Sequence, residues 1–346
     1  MRVKLNAKNI NNYISFVLLA SIAVILVAMG SSAKQGALNG LALAQNTIIP
    51  SLLPLLIIFL TIMKSGANNV ITKLFGRLTV ALFNLPANTA SAIIFGLVGG
   101  YPTGALMTQE LLNNDDIDVR QARRLLRFNF CGGCGFIITA VGTITLGSLK
   151  AGVLLFTANA VSAVILGFIL SFSESRIKYE PFSFCEEMGF GNALSSATSS
   201  SVSSVLNITA YIVVFSALNC TSSISSRLMP LIEITNGVCS ESFDFPTLAA
   251  YLAFGGICIH FQLIPIIASA KMKFIDFFSF RALSALISYA VLKLLLLIFP
   301  MEQMVFSNGS ERLVNFFSVN VTLSVLMVIG CFVLILDVSS HKNKLA

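Results

Sequence analysis

The chain has 346 residues, 56% of them hydrophobic and only 11% charged, and its mean hydropathy is +0.87. A soluble globular chain carries about 25% charged residues, so this one cannot cover a water-facing surface; the same balance excludes a disordered chain and a secreted disulfide scaffold. The formal net charge of +7 is too sparse for a nucleic-acid groove, and in a membrane protein an excess of Lys and Arg sets orientation instead.

The composition predicts an all-α, polytopic membrane protein. A spanning helix needs about 20 mostly apolar residues. In chain order the candidates are Tyr13–Met29, Leu41–Met63, Ala151–Ser171, Val202–Leu218, Leu248–Ala270, Phe280–Phe299 and Phe317–Leu336. The first also has the basic start and small-residue end of a signal peptide. Two apolar stretches are interrupted by glycine: Thr89–Leu111, with Pro102 as well, and Cys131–Leu149. One of them spans and the other is re-entrant, which gives about eight transmembrane helices either way.

The choice decides which side holds residues 113–130. Placed inside, that loop joins most of the 22 Lys and Arg on the cytoplasmic side, as the positive-inside rule favours. Both arrangements put both termini inside. The loop itself reads as an amphipathic helix opened by a capping box, Asp118 with Gln121. Val119, Ala122, Leu125 and Leu126 share one face, while Arg120, Arg123, Arg124 and Arg127 fall mostly opposite. That pattern fits a surface helix facing anionic lipid or a protein partner, and equally an ordinary solvated face.

The chain repeats itself weakly. Pro50 to Phe59 is echoed by Ser203 to Phe215, Phe95 to Pro102 by Phe254 to Phe261, and Ala151–Ser171 by Phe280–Phe299. The expected organisation is an N-terminal anchor (1–36), a first repeat (37–172), a second repeat (190–300), and a C-terminal helix and tail (301–346). The two repeats are inverted. Inverted repeats with Gly/Pro-broken segments mark secondary transporters, because a broken helix exposes backbone groups that must line a cavity or bind something. A strict symmetry makes Thr89–Leu111 span, against the charge rule.

Few ionisable groups lie in the membrane segments. His260, Lys293 and Glu233 are therefore candidates, as proton relays or solute ligands. Each also has a plain structural reading: a hydrogen-bonded core histidine, a snorkelling lysine that could pair with Glu233, and an Asn236-Gly237 turn. Cys131-Gly132-Gly133-Cys134 is a CxxC without convincing further metal ligands. No metal, cofactor or catalytic set is predicted, and the protein is not expected to be an enzyme.

Several motifs carry a resemblance to a family. They are the Pro50–Phe59 opening, Gly96-Leu97-Val98-Gly99-Gly100-Tyr101-Pro102-Thr103-Gly104-Ala105, the basic helix ending at Asn129, Gly135 to Gly142, Glu233-Ile234-Thr235-Asn236-Gly237, and Phe254-Gly255-Gly256-Ile257-Cys258-Ile259-His260-Phe261-Gln262. Over about residues 40–300 the chain resembles the YlbJ-type sporulation integral membrane proteins, which carry the nucleoside-recognition or Gate domain. It departs from them in having no proline between Asn129 and Gly135. The resemblance implies a bacterial cytoplasmic membrane protein linked to spore cortex formation, with two Gate-like repeats.

Two functions follow. The first is a permease-like carrier of a small polar solute, bound by Gly100, Tyr101, Pro102, Thr103, Asn129, Glu233, Thr235, Asn236, Gly255, Gly256, His260 and Gln262, with Glu233 or His260 coupling protons. The second is a non-transporting scaffold docking through Arg120, Arg123, Arg124 and Arg127. The expected partners are the solute, the bilayer and a ligand of that basic helix. A homo-oligomer is compatible with the sequence, and nucleic acid is not a partner.

Overall fold

The computed structural model describes residues 7–179, 188–221, 226–240 and 243–301. The expected span Phe317–Leu336 lies outside the described residues. Within them the chain is helical throughout and contains no strand. Five helices are long and apolar enough to cross a membrane.

The chain opens with α1 (Ala7–Ala28) and a long bent rod of α2 (Gly30–Leu43), a π-helical turn and α3 (Ile49–Lys64). Glycines let this rod approach α9 (Phe190–Thr221) closely: a Cβ on Gly36 would lie 2.4 Å from the Ser216 carbonyl oxygen. Without a hydrophobic drive between helices in lipid, such small-residue contacts are what hold them together.

After α3 the chain turns across one end of the bundle as α4 (Ala67–Phe83), then bends by 104° into the segment ending in α5 (Ala90–Gly99). Gly100 has φ +74°, and the Tyr101–Pro102 peptide is cis. From there α6 (Thr103–Asn113) returns to the end from which α5 entered. Asn88, before α5, donates to the Asp116 carbonyl beyond α6 at 3.0 Å, and Glu110 pairs with Lys64 at 3.0 Å. Thr89–Leu111 thus folds as a hairpin that reverses at Gly100–Pro102.

The basic helix α7 (Val119–Phe128) forms as its sequence predicts. The Gln121 amide donates to Asp118 Oδ1 at 2.7 Å, and the Asp118 amide donates to Gln121 Oε1 at 2.9 Å. Its apolar residues Ala122, Leu125, Leu126 and Phe128 are buried against the protein itself. The chain then runs extended past Phe130, becomes π-helical over Gly135–Thr145, and leads into α8 (Leu149–Ser171) at the opposite end.

After α9 come two short helices, α10 (Met229–Ile232) and α11 (Ile234–Ser240), separated by the extended Glu233. A crossing follows in pieces: α12 (Phe245–Phe254), α13 (Gly256–Gln262) and α14 (Ile264–Ser269), broken at Gly255 and Gly256, both in the left-handed region. Finally α15 (Phe274–Ile298) packs on α8 and α12. That packing is polar at its centre. Asn159 donates to the Ala249 carbonyl and to Ser288 Oγ, both at 3.3 Å, and Ser162 lies 3.4 Å from Ser284.

Ion pairs mark one end of the bundle. Lys64 meets Glu110 and Ser196, Arg124 meets Glu174, and Arg127 meets Asp276 at 2.7 Å. Lys64 thus links α3 to α6 and α9, and α7 is linked to the segment after α8 and to α15. The 113–130 loop therefore lies with Lys64 and Arg176, as the charge rule favours. At the other end Lys150 donates to the Pro300 carbonyl at 3.4 Å.

Candidate functional site

Four chain breaks converge inside the bundle: Gly100–Pro102, the extended run after Asn129, Glu233, and Gly255–Gly256. Their contacts are backbone to backbone. The Tyr101 amide donates to the Cys131 carbonyl at 2.8 Å. A Cβ on Gly100 would lie 2.0 Å from the Gly133 nitrogen, and one on Gly256 would lie 3.1 Å from the Pro230 carbonyl oxygen. Tyr101 crosses from one half to the other: its ring rests on Gly255 and its hydroxyl donates to the Leu252 carbonyl at 3.4 Å.

The breaks surround a cavity of about 60 Å³. Its walls are largely apolar, supplied by Leu52 and Leu55 of α3, Phe136, Ile208 and Ile212 of α9, and Ile259. Polar groups enter at few points: Ser51, Tyr101, Glu233, Thr235, Cys258 and Gln262. An apolar chamber with a few convergent polar groups is the usual form of a small-molecule site. Glu233 is 1% exposed, and its Oε1 accepts the Thr235 amide at 2.8 Å. It is the one acidic side chain in the wall among the described residues.

Gln262 has a second position. It lines this cavity and an adjoining one of about 210 Å³, formed with Leu106 and Gln109 of α6, Ser204 and Asn207 of α9, and Pro265. Its Nε2 lies 3.6 Å from Cys258 Sγ, and its Oε1 has no hydrogen-bond partner among the described residues.

The predicted ligands divide into two groups. Tyr101, Pro102, Glu233, Thr235 and Gln262 line the cavity. Gly100, Gly255 and Gly256 shape the breaks. Thr103, Asn129 and His260 are not part of its wall. Thr103 is fully buried against Gly99. Asn129 pins the hairpin, donating to the Ala92 carbonyl at 2.8 Å and lying against Gly96 and Gly104. Asn236 lies on α11, and its side chain lies outside the described residues.

His260 faces away, because it alternates with Cys258 and Gln262 on a short helix. It is fully buried among the rings of Phe254, Phe277 and Phe278, and its Nε2 is 2.8 Å from the Phe254 carbonyl oxygen across the break. That is the structural reading of this histidine, not the ligand. Lys293 points out of the bundle over the Tyr289 ring at 5.0 Å rather than toward Glu233.

The α7 arginines also differ from expectation. Arg124 is 2% exposed and donates to the carbonyls of Phe83 and Asn84, and burial lowers its pKa. Arg127 is held by Asp276 and stacks 4.9 Å over Phe280. Arg120 remains exposed beside Asp118. The docking face expected of four arginines is therefore reduced to Arg120 and Arg123.

One important residue escaped the sequence reading. Arg281 of α15 is fully buried and donates to the carbonyls of Arg127 and Phe130, where α7 ends and the extended run begins. Its signal is present in the sequence, a charge near the start of a long apolar run.

No family model matches the chain, and no solved structure does. The chain is similar to the sporulation integral membrane protein YlbJ of Bacillus subtilis (strain 168): 25% identical over 247 residues, 64% of this chain and 59% of that protein. The match thus spans less than two thirds of the relative's length. Fold, composition and this likeness agree on a helical membrane protein similar to a sporulation integral membrane protein.

Proposed function

We propose that the protein is a permease-like carrier of a small polar solute, acting as a multi-pass protein of a bacterial cytoplasmic membrane during sporulation. One observation carries this: chain breaks from both halves meet around a mostly apolar cavity with a single carboxylate among its described lining residues. Backbone freed from helical bonding in a membrane is tolerated where it lines a cavity, and transporters place their solute sites there.

The order of elements supports two inverted repeats, with a pairing different from the sequence echoes. In this reading α3 corresponds to α9, the α5–α6 hairpin to α10–α11, the Asn129–Thr145 crossing to α12–α13, and α8 to α15. The echo of Phe95–Pro102 in Phe254–Phe261 instead aligns a hairpin with a crossing. With the new pairing the symmetry and the charge rule no longer conflict. A Gate-type core and cytoplasmic termini belong to the same proposal.

The test is thermal stabilisation of the purified full chain against nucleosides, amino acids, dicarboxylates and divalent metals. A ligand at 100 times its dissociation constant adds about 2.7 kcal/mol. A hit that vanishes in Glu233→Gln, followed by uptake into proteoliposomes, supports the carrier. A flat panel with a well-folded protein counts against it.

A further inference from the structure

The helix α4 is built inside out for a helix at a water surface. Apart from Phe83 at its C-terminal end, its buried face is polar or small: Asn69, Thr72, Gly76 and Thr79. Its outward face is apolar, with Val70 59%, Leu74 68%, Phe75 43% and Leu78 54% exposed. Seventeen residues make a rod about 25 Å long. Both of its ends lie at the ion-paired end of the bundle: Ser65, before it, bridges to Met188, and Asn84, after it, binds the segment following α8. The rod therefore lies across the bundle, with an apolar face directed outward. Such a helix belongs in the bilayer interface.

Cations gather along it. Lys73 and Arg77 are exposed on α4 beside the apolar face. Asn84 accepts the Ile177 amide at 2.8 Å and donates to the Ser175 carbonyl at 3.1 Å, which fixes Arg176 and Lys178 near the end of α4. Arg77 lies 5.4 Å over the Tyr179 ring. The one acid of residues 171–179, Glu174, is engaged by Arg124. We infer that Lys73, Arg77, Arg176 and Lys178 form a seat for the headgroup of an anionic phospholipid whose chains lie against Leu74, Phe75 and Leu78. A second copy of the chain fits this face poorly, because it brings Lys73 and Arg77 toward their own counterparts. A lipid supplies both the apolar tail and the opposite charge.

The test is native mass spectrometry of the full chain, titrated with phosphatidylglycerol or with phosphatidylcholine. The seat predicts preferential phosphatidylglycerol adducts. A variant with Lys73→Gln, Arg77→Gln, Arg176→Gln and Lys178→Gln should weaken them by about fivefold per charge removed, with unchanged melting in phosphatidylcholine. Arg120→Gln with Arg123→Gln should leave them intact. If the fourfold variant fails to fold, the two pairs are measured separately, each predicted to weaken the adducts. Unchanged adducts in the variants overturn the seat. So does equal protection by inorganic phosphate, or rapid self-crosslinking of Leu74→Cys, which would make the occupant a second copy.

Discussion

Arg281 donates to the Phe130 carbonyl at 2.6 Å while its guanidinium lies 5.1 Å from the centre of the Phe130 ring. One side chain thus holds both the backbone and the ring of the residue that leads into the extended run. Its second nitrogen takes the Arg127 carbonyl, at the C-terminal turn of α7, where a cation is favoured by the exposed carbonyls. Removing it leaves buried acceptors unmatched, at about 1–3 kcal/mol each. Arg281→Met should lower the melting temperature clearly, and Arg281→Lys should not restore it, because a point charge cannot serve two divergent carbonyls as a planar fork does. Full stability in Arg281→Lys would show that charge alone matters.

The contact of Gly100 with Gly133 gives a sharper steric prediction. A Cβ at Gly100 would fall 2.0 Å from the Gly133 nitrogen and 2.3 Å from its Cα, at a φ of +74°. Backbone cannot move aside as a side chain can, so Gly100→Ala should cost about 2–5 kcal/mol from overpacking plus left-handed strain. Gly135→Ala is the matched control. Its Cβ would meet only the Ser51 Cβ, at 3.7 Å, and that variant should melt within error of the parent. Thermal melts of the two side by side decide it.

What the sequence revealed depended on whether a feature is local. The capping box of α7 involves residues three apart, and its hydrogen bonds are both present. The long apolar runs became α8, α9 and α15 for the same reason: length and composition suffice to define a spanning helix. The break at Gly100–Pro102 was legible from its residue types, but its consequence was not. Whether α6 continues or turns back is set by partners far away, Glu110 with Lys64 and Asn129 with Gly96. Side-chain direction was least legible. A seven-residue helix carries Cys258 and Gln262 into the cavity and His260 away from it, and no spacing rule says which of the two faces is wet. The buried arginines were missed because an arginine near a helix end looks solvated until the carbonyls it serves are in place.

Asp116, in the loop between α6 and α7, allows a pH test. Partial burial raises its carboxyl pKa, the neighbouring Asp115 and Glu110 raise it further, and a hydrogen bond from Asn88 opposes them. The folded state then holds the proton more tightly than the unfolded chain. Stability is lost as pH rises from the ordinary carboxylate range through the raised folded value, and the loss is complete above it. Asp116→Asn should therefore raise the melting temperature at pH 7 and lose its advantage at a pH below the ordinary carboxylate range. An equal advantage at every pH would point to a cause other than titration.

The last prediction separates the two polar residues of α13. Gln262 lies at the junction of the two cavities with Oε1 unmatched, so a solute passing between them would meet it. His260 is enclosed by phenylalanines and bridges the helix break to the Phe254 carbonyl. For any solute that stabilises the parent chain, Gln262→Leu should weaken the response at least about tenfold, the equivalent of one lost hydrogen bond worth about 1.4 kcal/mol. Its melting without solute should be unchanged or higher, since an unmatched buried oxygen is removed. His260→Gln should do the reverse: folding stability falls by about 1 kcal/mol for the strained or lost bond, while the solute dissociation constant is preserved. The two variants are read in one titration series. Loss of solute binding in His260→Gln with retention in Gln262→Leu would return the histidine to the site and move the solute to the other face of α13.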